Sequence, residues 1–66
     1  MSAGEKIKQK RTELGWTQQQ LADEVGVARA NIAQYERGSK IPTTVTGKYI
    51  AKALGCTMDE LFGDET

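Results

Sequence analysis

Apolar residues recur along this chain in short groups spaced three and four apart, with glycines between the groups. That is the period of short amphipathic helices, not the alternation of strands. Ile7, Arg11 and Leu14 followed by Gly15 predict helix 1 over about residues 4–14, with glycine as its stop. Thr17 with Gln20 three positions on is a capping box that opens helix 2, and Trp16 before it can close on Leu21 as a hydrophobic staple. Leu21, Val25, Val27, Ile32 and Tyr35 are spaced to meet on the inside, whereas Ala30, Ala33, Gln34 and Arg37 fall on the opposite side of helix 3. Between them, Ala22 has almost no side chain and lets a second helix cross closely. Gly26 can take the positive φ of a tight reversal. Helix 3 begins near Arg29, although its cap position is Ala28, which offers no side-chain oxygen. Ser39-Lys40-Ile41-Pro42 reads as a loop because proline cannot continue the helix. Helix 4 spans Thr44 to Leu54 and ends at Gly55, with Ile50, Ala53 and Leu54 inward; Thr43, Thr44, Thr46 and Gly47 make its first turn weak. Val45 and Tyr49, four apart, form an apolar strip beside the inward stripe. Thr57 with Glu60 repeats the capping box, and Cys56 can staple to Leu61, which predicts helix 5 over Met58 to Phe62.

Five short helices account for the chain, so the expected fold is all-α and the expected organisation one domain, with its core over about residues 4–62 and an acidic tail at 63–66. Sixty-six residues bury only a thin core, so caps and close packing must count. The single cysteine cannot form an internal disulfide, and without histidine no zinc-finger ligand set can be built. No signal peptide and no apolar run of membrane-spanning length is read, so the expectation is a reduced, cytoplasmic protein with no membrane partner. No histidine, a lone cysteine at a staple position and no glycine-rich phosphate loop also argue against an enzyme and against a cofactor.

Formal net charge is zero, which by itself argues against a polyanion as partner. The charge is unevenly spread, however. Residues 1–52 hold all nine basic groups against five acidic ones, an excess of four; the remaining fourteen residues hold Asp59, Glu60, Asp64 and Glu65 and nothing basic. Lys6, Lys8, Lys10 and Arg11 serve equally well as a solvated helix face or as an electrostatic footprint.

The chain resembles the phage repressor and Cro type of helix-turn-helix, the XRE family of regulators, over nearly everything from Ile7 to Phe62. The residues that carry the resemblance are Arg11 with Glu36, Gly15, the run Thr17-Gln18-Gln19-Gln20-Leu21-Ala22, Gly26-Val27, Ile32, Glu36-Arg37-Gly38, Pro42 and Ala51-Lys52-Ala53-Leu54-Gly55. It implies a compact, five-helix, lambda-repressor-like domain whose helices 2 and 3 form the helix-turn-helix. It also implies that helix 3 lies in the major groove of double-stranded DNA, with Arg29, Ala30, Asn31 and Gln34 reading bases. Residue chemistry agrees, since arginine pairs with guanine, asparagine or glutamine with adenine, and an alanine methyl can meet that of thymine. Asn31 sits at the edge of the outward face and can bond locally instead. Thr17, Gln18, Arg37, Lys40, Thr43 and Thr44 are implied to lie along the phosphate backbone, contacts that position without specifying. Arg11 and Glu36 resemble the family ion pair that ties helix 1 to the end of helix 3.

Three departures stand out. Ala28 replaces the usual serine or threonine, Trp16 a common leucine, and Thr44 and Gly47 larger apolar residues, so helix 4 is expected to sit differently or to be more mobile. The resemblance implies a transcriptional repressor acting as a homodimer on a palindromic operator. No separate dimerisation domain fits in the sequence, so Val45 and Tyr49 are the candidate self-association surface. The alternative is an antitoxin-type module that neutralises a toxin partner, favoured by the acidic stretch from Asp59 to Glu65.

Overall fold

In the computed structural model, which describes residues 1–63, five helices follow one another: α1 (Ala3–Glu13), α2 (Gln18–Val25), α3 (Arg29–Arg37), α4 (Thr44–Leu54) and α5 (Met58–Phe62). No strand occurs among the described residues. Asp64, Glu65 and Thr66, most of the anticipated acidic tail, lie outside them.

The helix starts follow from local hydrogen bonding. Ser2, Thr17 and Thr57 each accept from the backbone N–H three residues on, and Glu5, Gln20 and Glu60 reach back to the cap N–H, so three capping boxes open α1, α2 and α5. The box at Ser2-Ala3-Gly4-Glu5 is plain in the sequence and begins α1 one residue before the expected start. Thr43 caps α4 by accepting from the Thr46 N–H at 3.2 Å, which supports its weak first turn. α3 alone among the five lacks a side-chain cap.

Ile7, Leu21, Ala22, Ile32, Tyr35, Ile50, Ala51, Leu54 and Leu61 form the core. Trp16, Val25, Val27, Ala53 and Cys56 are half-buried against it. α3 packs on both α1 and α2, while α4 and α5 close the bundle from the other side through contacts with α1 and α2. Leu14, expected on the inner stripe, is 48% exposed. It is the C-cap of α1, and the turn through Gly15 brings Trp16 back onto the core in its place.

Two glycines set how closely helices approach. A side chain on Gly4 would meet the carbonyl oxygen of Glu36 at 2.7 Å and that of Tyr35 closer still, so α1 rests on the backbone of α3 only because position 4 has no Cβ. Gly47 is buried in α4, and the space beside it is filled by Met58 and Phe62 of α5, which approach to 3.1 and 3.3 Å of where a Cβ would stand. The absence of a larger apolar residue at 47 is thus compensated from α5, and α4 runs unbroken from Thr44 to Leu54.

Candidate nucleic-acid interface

The corner between α2 and α3 is built as its residues require. Ala22 is fully buried, and its carbonyl accepts from the N–H groups of Gly26 and Val27 at 2.8 and 3.0 Å. Gly26 takes φ 87°, a left-handed value that L side chains rarely adopt. The chain therefore reverses within three residues, and α3 leaves the corner with Ile32 and Tyr35 driven into the core.

The other side of α3 is uncovered. Arg29, Ala30 and Arg37 are exposed, and Asn31, Ala33 and Gln34 are half-buried. The first turn has no side-chain cap, because Ala28 has no oxygen to give. Three cations, Arg29, Arg37 and Lys40, are carried by α3 and the loop that follows it. Lys40 Nζ lies 3.3 Å from Asn31 Oδ1, so the loop is tethered to the helix at the edge of its outward face, where Asn31 bonds locally. Thr17 and Thr43 stand exposed at the N-caps of α2 and α4, with Thr44 beginning α4. Each cap hydroxyl accepts a backbone N–H.

Behind this surface runs a continuous polar chain. Arg11 Nε donates to Glu36 Oε2 at 2.6 Å and Nη2 to Oε1 at 3.2 Å, while Nη1 donates to the Trp16 carbonyl at 2.6 Å. The two side chains are only 10% and 3% exposed. A bidentate, charge-assisted pair of this kind is geometrically specific, and its oxygens and nitrogens are occupied from several directions. Gln18 extends the chain: its Nε2 donates to Glu36 Oε1 at 3.1 Å, and its Oε1 accepts from Arg29 Nη1 at 3.3 Å. The family resemblance implied the pairing of Arg11 with Glu36 and a phosphate contact for Gln18, but not the bond between the two sets. Nothing in a linear pattern marks residues 18 and 36 as neighbours. No buried side-chain nitrogen or oxygen among the described residues is left without a partner.

Val45 and Tyr49 are 64% and 56% exposed on α4, and form no part of the core. Burial pushes the Cys56 thiol above its ordinary value, which leaves it protonated and in keeping with its packing position. Glu60, besides capping α5, lies 3.8 Å from Lys10 of α1, so part of the acidic C-terminal charge faces a basic partner within the molecule. Among the described residues no helix is long and apolar enough to cross a membrane, and no three cysteine or carboxylate groups are assembled to hold a metal.

The profile of the helix-turn-helix family matches residues 7–61. The competence pilus inhibition repressor of Acinetobacter baylyi is 36% identical over 62 residues, covering 94% of this chain and 56% of that protein. The immunity repressor protein of Bacillus phage phi105 is 36% identical over 66 residues, covering all of this chain and 46% of that protein. This chain thus spans about half the length of both relatives. Among solved structures, the P22 c2 repressor in complex with a synthetic operator superposes with a TM-score of 0.92 at 34% identity, covering 94% of each chain.

Proposed function

The chain belongs to the helix-turn-helix family of the XRE type, and from that premise we propose that it is a sequence-specific transcriptional regulator that binds duplex DNA through α3. The observation that carries this reading is the uncovered side of α3. In a chain short of surface to bury, one helix directs Ile32 and Tyr35 inward and leaves Arg29, Ala30, Asn31 and Gln34 unburied or half-buried, on a fold shared with a repressor solved on its operator. In the major groove Arg29 pairs with O6 and N7 of guanine, Gln34 or Asn31 with N6 and N7 of adenine, and the Ala30 methyl meets that of thymine. Thr17, Gln18, Arg37, Lys40, Thr43 and Thr44 follow the phosphates on either side and set the register.

One such module spans few base pairs, so useful discrimination requires two copies on a two-fold site, with half-sites one helical turn or about 34 Å apart. The exposed pair Val45 and Tyr49 is the surface assigned to that self-association. Repression then follows from occupying a promoter. The test is selection of bound sequences from a random duplex pool followed by footprinting. A recovered palindrome with protected half-sites one turn apart supports the reading. Absence of any site preference at low ionic strength overturns it.

A further inference from the structure

Asn31 and Gln34 carry the same amide on the open side of α3, and the structure treats them differently. Gln34 lends its backbone carbonyl to the N–H groups of Gly38 and Ser39 and to the Ser39 hydroxyl, while no bond among the described residues engages its side-chain amide. Asn31, half-buried in the first turn, has its Oδ1 3.3 Å from Lys40 Nζ. The lysine reaches it because the turn that carries it is tied down. Gly38 takes φ 81°, and Ser39 bonds the Gln34 carbonyl twice, at 3.1 Å through its N–H and 3.3 Å through its hydroxyl. An ammonium can only donate, so the atom facing it is the amide oxygen, and the NH2 is the end left for a ligand. Turned over, the amide would set its NH2 against a positive charge. An amide held in this way offers donors alone. Adenine shows the major groove one donor and one acceptor, N6 and N7, and is matched by an amide that uses both ends; guanine shows two acceptors, O6 and N7, and thymine shows O4.

We propose that Lys40 is the positioning residue for Asn31: by occupying Oδ1 it makes Asn31 a donor that reads guanine or thymine, and leaves the recognition of adenine to Gln34. The inference rests on the reading of α3 as the base-reading helix. An ammonium has two further N–H groups, so the bond to Asn31 leaves Lys40 its place along the phosphates. An asparagine and a lysine nine positions apart thereby act as one specificity-determining unit, in which the loop after α3 decides what the first turn of α3 reads.

The test uses the full chain on its selected duplex, with each base pair replaced in turn by the other three. Asn31→Ala identifies the base pair that Asn31 reads, as the position where discrimination falls. There the wild type is expected to favour guanine or thymine over adenine. Lys40→Met keeps the stem of the side chain and removes the donor. It lowers affinity on every duplex through the lost phosphate contact, so the readout is the ratio between duplexes. Adenine is expected to gain roughly three- to tenfold on guanine and thymine at the Asn31 base pair and nowhere else, the worth of about one hydrogen bond. In the Asn31→Ala background Lys40→Met should leave that ratio unchanged, as coupling between the two requires. Lys40→Arg, which still donates, should keep the wild-type preference. A wild-type preference for adenine at that base pair, an unchanged ratio in Lys40→Met, or the lack of any base pair at which Asn31→Ala alters discrimination overturns the proposal. Arg29→Ala tests base reading by α3 separately. If it loses discrimination at a base pair of its own, α3 still reads bases and only the coupling of Lys40 to Asn31 has failed; if it discriminates as the wild type does, both readings fall.

Discussion

The two ends of α3 have opposite fates. At the C-terminal end Tyr35 is buried, the Glu36 carboxylate is enclosed, Gly38 closes the helix in the left-handed conformation, and α1 lies directly on the backbone through Gly4. At the N-terminal end Ala28 provides no cap, and Arg29 and Ala30 stand in solvent. One end of a nine-residue helix is clamped so that the other can be presented without support of its own. A helix this short is marginal in water and owes its persistence to tertiary packing. The clamp is what allows the uncovered face to be polar, small and uncapped. The Arg11, Glu36, Gln18 and Arg29 chain connects the two ends.

Breaking the clamp should have the largest effect. Arg11→Met leaves the enclosed Glu36 carboxylate without its partner and the Trp16 carbonyl without a donor. Stranding a buried charge in this way costs about 3–5 kcal/mol, a large part of the stability of any small domain. Urea denaturation would measure it, and a loss below 1 kcal/mol would mean that the pair behaves as a solvated surface contact. Gly4→Ala comes next and has a diagnostic sign. Within a helix the change from glycine to alanine ordinarily stabilises by roughly 0.5–1 kcal/mol. Here the added Cβ would run into the carbonyl oxygens of Tyr35 and Glu36, so the helices must part, and a net loss of about 1–3 kcal/mol is expected. Stabilisation by Gly4→Ala would show that α1 does not rest on α3 as described.

The contrast between the ends also explains what the sequence made legible. Features that act within a few residues could be read directly: the capping box at Thr17 and Gln20, the one at Thr57 and Glu60, and the glycine turn at 26. Helices 1, 4 and 5 fall within one residue of their expected bounds, and helices 2 and 3 begin where expected. Features that join distant segments were legible only through the family resemblance, as for the pairing of Arg11 with Glu36. Gly47 looked like a weak helix residue and position 4 only like a helix start, because a glycine that admits another helix and a glycine that merely lowers propensity are the same letter. Their meaning lies in Tyr35, Glu36, Met58 and Phe62. The bond from Gln18 to Glu36 was hidden for the same reason, since three consecutive glutamines give no sign of which one faces a carboxylate. Leu14 shows the converse error, where helical period was carried one residue past the end of the helix.

At the presented end, effects should appear in binding and spare the fold. Arg29→Ala is expected to weaken binding to the selected site by about 1–3 kcal/mol while leaving random DNA much less affected, measured by titration on both duplexes. Equal losses on the two would place Arg29 on phosphate. Lys40→Ala should instead weaken both and flatten the dependence of log affinity on log salt by about 0.9, the share of a single phosphate contact. An unchanged salt slope would leave Lys40 only its bond to Asn31.

The smallest effect should come from giving the uncapped end what the other helices have. Ala28 already has the extended backbone of an N-cap, φ −73° and ψ 148°, and lacks only the oxygen. Ala28→Ser supplies it without rearrangement and should stabilise the fold by about 0.5–1 kcal/mol in thermal or urea unfolding. Ala28→Asp should stabilise at least as well, because a carboxylate also interacts favourably with the helix N-terminus. On DNA the two variants should separate: serine is neutral toward a neighbouring phosphate, whereas aspartate carries a charge of the same sign and should reduce affinity on every duplex, most strongly at low salt. If both variants stabilise the fold and both bind as the wild type does, the first turn of α3 lies away from the phosphates, and the uncapped end would then be a tolerated weakness with no part in binding.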